Sequence, residues 1–331
     1  MNIFSINYGK KNVFDAYPGK SLSSPLYDSF LALLAIGSEN GSYENYNKVW
    51  PETLEPIARV NTHGEYGAVG LFANQALLKS APDVTLSPIA SSLAFAFTEC
   101  YALNTLPLLS SVNWHSVTNF NGFCALSNHE DTDVIRVIEE SGGSVGLSEF
   151  PALDLSHAEL LINAFAYQSF LMVPTLVLTN AVTVRGMFYG CERLMSVGPI
   201  SFGDTDVEAD EFFCDCHGLD NIGEIDFTHL IGTGFFTGCE MLRSVGVAGI
   251  ISRDLSFADS PLLEDETLLA LCYHTTLGEG TLGFNNALAD KADQYVKFAG
   301  ESLVFCEPDD PETQGTLASF MTSKGWTLAF V

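Results

Sequence analysis

Phe188-Tyr-Gly-Cys191-Glu-Arg-Leu194-Met-Ser-Val197 recurs as Phe213-Cys-Asp-Cys216-His-Gly-Leu219-Asp-Asn-Ile222 and again as Phe236-Thr-Gly-Cys239-Glu-Met-Leu242-Arg-Ser-Val245. The shared unit is F-x-x-C-x-x-L-x-x-(V/I). Upstream, Phe97-Thr-Glu-Cys100-Tyr-Ala-Leu103-Asn-Thr-Leu106 fits the same unit. Weaker copies anchor on Leu78, Leu126, Leu147, Phe170 and Leu263, so nine anchors follow one another at separations of 25, 23, 21, 23, 24, 25, 23 and 21 residues. Self-similarity at a fixed period of this length is the signature of a repeat array, and it takes precedence over any element-by-element reading.

Six residues before the anchors stand Phe72, Phe97, Phe120, Ser141, Ala164, Phe188, Phe213, Phe236 and Phe257; three before them stand Gln75, Cys100, Phe123, Ser144, Tyr167, Cys191, Cys216, Cys239 and Ser260. Apolar residues at i, i+3 and i+6 turn one stripe of a short helical or 3₁₀ turn inward. A short extended piece follows, as in Val197-Gly-Pro-Ile200-Ser-Phe202. Four residues past the anchor the chain carries Pro82, Pro107, Pro151 and Pro174 in early copies and Gly198, Gly223 and Gly246 in later ones, which marks a recurrent bend. One such unit cannot bury its own stripe. Stacked units bury it against each other and align their extended pieces as a parallel sheet, so the expected fold is a repeat solenoid with short parallel strands. Its ladder residues are Phe97, Cys100, Leu103, Phe188, Cys191, Leu194, Phe213, Cys216, Leu219, Phe236, Cys239 and Leu242. The expected organisation is an N-terminal attachment module over 1–65, the solenoid over 66–266 and a C-terminal cap over 267–331.

At these residues the chain resembles the BspA-like leucine-rich-repeat proteins, whose unit of about 23 residues carries A-F-x-x-C-x-x-L. The resemblance covers roughly 68–331 and extends into the last segment, through Leu262 to Leu271, Thr281-Leu-Gly-Phe-Asn285 and Lys324-Gly-Trp-Thr-Leu328. Such repeats occur in bacterial surface proteins and in tailed-phage virion proteins. The resemblance implies a non-enzymatic structural and recognition role, on a virion tail or other host-facing appendage assembled in the host cytoplasm. The alternative is a bacterial cell-surface adhesin, and a third reading is a polysaccharide hydrolase. Expected partners are other virion subunits or further copies of this chain, and a host-surface protein or glycan. The sequence departs from the pattern at Ser141 and Ala164, which replace the Phe, and at His129 and Glu266, which stand where an apolar residue is expected.

Composition bounds the function classes. The 331 residues hold 41 Asp and Glu against 14 Lys and Arg, a net charge of −27. That excess opposes binding to nucleic acid, whose phosphates need cations to displace their counterions. Yet only 17% of residues are charged while 47% are hydrophobic, and the mean hydropathy is +0.19, which rules out a disordered acidic tail. The longest apolar stretch near the N-terminus, Phe30 to Ile36, is too short to span a bilayer, and the first twenty residues have no apolar core of a secretory signal. No membrane insertion is expected.

Individual clusters have bland readings beside chemical ones. Cys214-Asp-Cys216-His217 has the residue types of a zinc site, but the thiols do not converge in an extended or turn geometry and no second Cys/His pair completes four ligands. Cys191, Cys216 and Cys239 fall at one position of consecutive turns, as stacked small hydrophobes or, at the limit of reach, disulfide partners. Asp204, Asp206, Glu208 and Asp210 alternate as oxygen ligands for Ca²⁺ can, without the Gly and Glu of an EF-hand loop. Glu307 to Glu312 reads as an acidic surface loop, and Asp133 to Glu139 as a helix with acids at its N-terminus. No hydrolase, P-loop or dinucleotide motif is present, so no catalytic, cofactor or metal residue is assigned. The irregular copies between Phe120 and Phe170 are the expected binding region, because pattern breaks in repeats carry insertions used for recognition.

Overall fold

The structure, a computed structural model, describes residues 142–331 continuously, and before them 91–107, 113–127, 132–140, the strand residues 7–8 and 11–12, and positions 72, 73, 76, 78, 79 and 81. The expected 1–65 module lies outside these residues apart from the antiparallel pair β1 (Asn7–Tyr8) and β2 (Lys11–Asn12), as do Gln75, Pro82, His129 and Ser141. The chain divides into two compact units, Met1–Ser169 and Phe170–Val331. The architecture is a parallel-strand β-solenoid of about five turns.

In the second unit the extended pieces are β3 (Met172–Val173), β4 (Leu176–Leu178), β5 (Ser196–Val197), β6 (Ile200–Phe202), β7 (Val207–Glu208), β8 (Asn221–Asp226), β9 (Leu230–Ile231), β10 (Ser244–Ala248) and β11 (Leu255–Phe257). They pair in parallel so that Val173, Val197, Ile222 and Val245 stand side by side, and Leu176, Ile200 and Ile225 likewise. All seven are buried, because alternation along a strand sends every second side chain inward and β-branched residues fit that pleated surface. Between the two inward positions lies the recurrent bend. A Cβ on Gly198 would stand 2.8 Å from the Thr175 nitrogen, on Gly223 2.6 Å from the Pro199 nitrogen, and on Gly246 2.9 Å from the Glu224 nitrogen. Glycine is required there by backbone-to-backbone approach of neighbouring turns.

The F-x-x-C-x-x-L segments differ from the expected 3₁₀ pieces. Met187, Tyr189, Cys191 and Leu194 donate their N–H to the carbonyl three residues back, but Val184, Gly186, Phe188 and Gly190 donate to Glu208, Asp210, Phe212 and Cys214 of the next turn. Alternate amides are committed across turns, so a continuous helix cannot form. The segment is instead a string of turns broken by left-handed residues at fixed places: Gly186 and Gly190, then Glu211 and Asp215, then Gly234 and Gly238.

The first unit contains one finding the period concealed. Ser148 N–H donates to Asn104 O, which sets Leu147 beside Leu103, as Asp220 N–H to Met195 O sets Leu219 beside Leu194. Leu126 and Leu147 therefore belong to a single turn, interrupted by an insertion that carries α1 (Thr132–Glu140). Nearby, Leu93 N–H donates to Asn119 O and Phe97 N–H to Phe123 O. Phe120 thus stands beside Leu93, and Cys124 beside Phe97. The ring that continues the ladder is Phe123, edge-on to Phe97 at 5.6 Å and to Phe165 at 6.0 Å. Ile138 of α1 packs into a buried cluster with Tyr101, Ala102 and Leu126. Buried Gln168 spans the break in the ladder: its Oε1 accepts from Leu147 N–H at 2.7 Å and its Nε2 donates to Cys124 O.

The ladder runs on past residue 266. After α2 (Asp265–His274), β12 (Gly280–Phe284) pairs in parallel with β11, and the last strand, Trp326–Phe330, pairs in parallel with β12, so that Phe257, Phe284 and Phe330 align. Between β12 and that strand are inserted a 3₁₀ helix (Asn286–Asp293), an antiparallel sheet of β13 (Tyr295–Phe298), β14 (Leu303–Cys306) and β15 (Thr313–Thr316), and α3 (Leu317–Ser323). The final strand is β16. Lys324 Nζ donates to Cys272 O at 3.1 Å and Tyr273 O at 3.0 Å, satisfying carbonyls at the C-terminal end of α2, and Trp326 Nε1 donates to Thr276 O at 2.9 Å.

Candidate functional site

The twelve ladder residues singled out from the sequence form the core. Each is at most 2% exposed. Phe213 stacks on Phe188 with centroids 5.5 Å apart and planes 3° from parallel, and on Phe236 at 6.1 Å and 6°. The Cys position has its own logic: Cys216 Sγ donates to Phe188 O at 3.1 Å, Cys239 Sγ to Phe213 O at 3.2 Å and Cys100 Sγ to Phe72 O at 3.1 Å. Ser260, at the same repeat position, donates instead to Cys239 O at 3.1 Å, the Cys carbonyl of the preceding turn in place of the Phe carbonyl. In these four copies the side chain is small and carries one donor for a carbonyl of the preceding turn. Burial pushes Cys216 and Cys239 well above the usual thiol range and Cys272 up to about 12. These side chains hold turns together and present nothing to a ligand.

The Cys214–His217 cluster does not converge. Cys216 faces the core, while His217 Nδ1 lies 2.9 Å from Gly238 O. The alternating acids are engaged separately: Asp206 meets Arg253 at 3.1 Å and His229 at 3.4 Å, and Asp210 Oδ1 accepts from Thr233 N–H at 2.8 Å. Arg253, then His229, hold the Asp206 carboxyl below the usual range. In the acidic loop after β14, Asp310 pairs with Lys297 at 2.7 Å. These carboxylates tie adjacent segments to each other.

A different group does converge, and sequence spacing concealed it. His115, Asp154 and His157 each bring one donor atom, and the three donors lie within 4.8 Å of one another, the only such three-residue group of His, Cys, Asp or Glu among the described residues. His115 and Asp154 are exposed and His157 half-buried. Consecutive turns place them: Glu159 and Leu160 N–H both donate to Thr118 O, so the corner at 154–158 stacks on the corner at 113–117, and the imidazole centroids are 4.4 Å apart. Ser156 organises the group. Its N–H and hydroxyl both donate to Asp154 Oδ1, at 3.0 and 2.6 Å, and its Oγ lies 2.9 Å from His157 Nδ1. These two bonds, then the two imidazoles, hold the Asp154 carboxyl below its usual range. Asp, Ser and His are the types of a hydrolytic triad, but the order differs: the carboxylate grips the serine hydroxyl instead of orienting the imidazole. With His115 39 residues from Asp154 across an insertion, only the D-x-x-H pair was visible in the sequence, and alone it carries no information.

The outward side of the second unit is a regular surface. Met172, Ser196, Asn221 and Ser244 align one per turn, with Ser196 Oγ donating to Asn221 Oδ1 at 2.8 Å. Beside them Met195 N–H donates to Leu171 O, and Arg243 pairs with Asp220 at 3.2 Å. Leu171, Met172 and Met195 are 43, 66 and 52% exposed, an apolar patch on adjoining turns. Elsewhere the surface offers a shallow recess between Phe227, Leu230, Phe235, Ile251, Arg253 and Leu255. Among the described residues no helix is long and apolar enough to cross a membrane. No family model matches this chain, and no curated protein or solved structure is significantly similar to it.

Proposed function

We propose that the chain is a non-enzymatic recognition protein of the leucine-rich-repeat, BspA-like kind, carried in multiple copies on the host-facing appendage of a phage particle. The observation that carries the recognition role is the outward ladder: chemistry-bearing side chains line up one per turn, and Leu171, Met172 and Met195 leave an apolar patch that a protein or glycan can cover. The ladder's Phe, Cys and Leu positions support membership of the repeat class. The expected partners are neighbouring virion subunits and a host-surface protein or glycan; the net charge of −27 disfavours nucleic acid.

Localisation tests the reading. Antibody to the chain should detect a fixed copy number in purified particles and decorate an appendage in immunogold images. Label confined to the bacterial envelope would support the adhesin reading instead, and label in neither place would overturn surface recognition. In attachment assays, Met172→Lys with Met195→Lys should weaken host binding at least about tenfold, as loss of a buried apolar anchor does; unchanged attachment would remove the patch from the proposal.

A further inference from the structure

The geometry points to a divalent transition-metal site of the zinc class at His115, Asp154 and His157, clamping the corner of one solenoid turn to the corner of the next. It is independent of where the protein acts. Two imidazoles and one carboxylate are a donor set for borderline ions such as Zn²⁺, whereas Ca²⁺ and Mg²⁺ need several oxygens and find one carboxylate here. Donors bonded to zinc at about 2.0–2.1 Å stand about 3.3 Å from one another, so binding draws these three inward by at most about 1.5 Å. Side-chain rotation at exposed corners covers that range.

The surroundings fit the same chemistry. Asp154 Oδ1 takes both Ser156 bonds, which leaves Oδ2 for the ion. Among the described residues no Lys or Arg pairs with Asp154. Ser156 touches both the carboxylate and the His157 imidazole, the orienting role that outer partners play around metal ligands. The two imidazole rings meet at 49° with their centroids 4.4 Å apart, beside the Asp154 carboxylate. Three protein ligands leave a fourth position for water or for a donor from a bound partner. The three ligands lie on the chain segments that flank the α1 insertion, and the backbone of those segments is joined beside them by Glu159 and Leu160 N–H to Thr118 O.

The test uses the full chain carrying Cys306→Ser, which removes the one cysteine that is not buried, stripped with EDTA and titrated with Zn²⁺ by calorimetry. One equivalent should bind, and His115→Asn, His157→Asn and Asp154→Asn should each weaken it by ~10-fold or more. All three residues are surface-accessible, and far-UV dichroism of each variant should match the parent. Ca²⁺ and Mg²⁺ should give no heat at that site. Affinity should fall as the solution is acidified, because protons compete with the ion for its ligands. Absence of Zn²⁺ binding at tens of micromolar, or binding that the three substitutions leave unchanged, would overturn the site.

Discussion

Phe213 and Cys216 show how single residues define this fold. A fully buried Phe contributes about 1.5–3 kcal/mol by burial alone, and Phe213 shares faces with rings above and below it. Cys216 adds little apolar area, but its thiol answers a carbonyl that the turn leaves with a spare lone pair. The inward placement of both was legible in the repeat, because period and residue type are properties of sequence, whereas the bond from the Cys216 thiol to the Phe188 carbonyl was not. The left-handed backbone at Glu211 and Asp215 was not legible there, since only the copies with Gly at those places advertise it. The buried thiols set a pH dependence. Burial raises the folded pKa values of Cys124, Cys214, Cys216, Cys239 and Cys272, so the folded state keeps protons that the unfolded state loses above about pH 8.5, and stability is complete below that pH and declines as pH rises. Each such thiol contributes a slope of about 1.4 kcal/mol per pH unit in that window. Urea titrations between pH 7.5 and 10 should show the fall, and a thiol reagent at neutral pH should modify Cys306 alone before denaturant exposes the seven buried cysteines. A flat profile, or fast reaction of several thiols, would contradict the burial.

Strand and turn geometry explains the Pro-to-Gly change that the sequence registers only as a bend. Gly198, Gly223 and Gly246 sit where neighbouring backbones approach too closely for a Cβ, and the β8 to β10 register slips by one residue at that point. Gly223→Ala should therefore destabilise by about 1–3 kcal/mol through backbone displacement, read as a lower urea midpoint with unchanged slope. Ala substitution at exposed Gly300, which has nothing within 4 Å but a positive φ of 62°, should cost only the left-handed strain of about 1–2 kcal/mol and leave the strand register intact by amide exchange. The α1 insertion marks the opposite case. Its length lies close to one period, so Leu126 and Leu147 imitate successive anchors while occupying one turn. Sequence arithmetic has no means of telling a repeat from an insertion of equal length; the hydrogen bonds from 148 to 104 do.

For the molecule as a unit, the acidic excess and the apolar excess occupy different places. Among the described residues the buried class is almost wholly Phe, Leu, Ile, Val, Ala and Cys, with no Asp, Glu, Lys or Arg, so their charges lie on the outside and keep a sticky array apart. A solenoid must also finish its ladder, since an uncovered turn exposes ring faces and strand edges. Here β16 covers β12, with Phe330 beside Phe284 and Trp326 only 2% exposed. Deleting 324–331 should uncover Phe284 and convert the protein to concentration-dependent oligomers in analytical ultracentrifugation, with raised dye binding; a monomeric, unchanged truncation would show that the last strand is dispensable.

The repeat and the identity of its inward residues follow from the order of residues, because a period needs no coordinates. Which copies share a turn, why Gly replaces Pro, and the meeting of His115 with Asp154 and His157 depend on tertiary structure. Stacking brings residues about forty positions apart to the same corner, and it does so through an insertion whose length the linear pattern disguises as one more repeat.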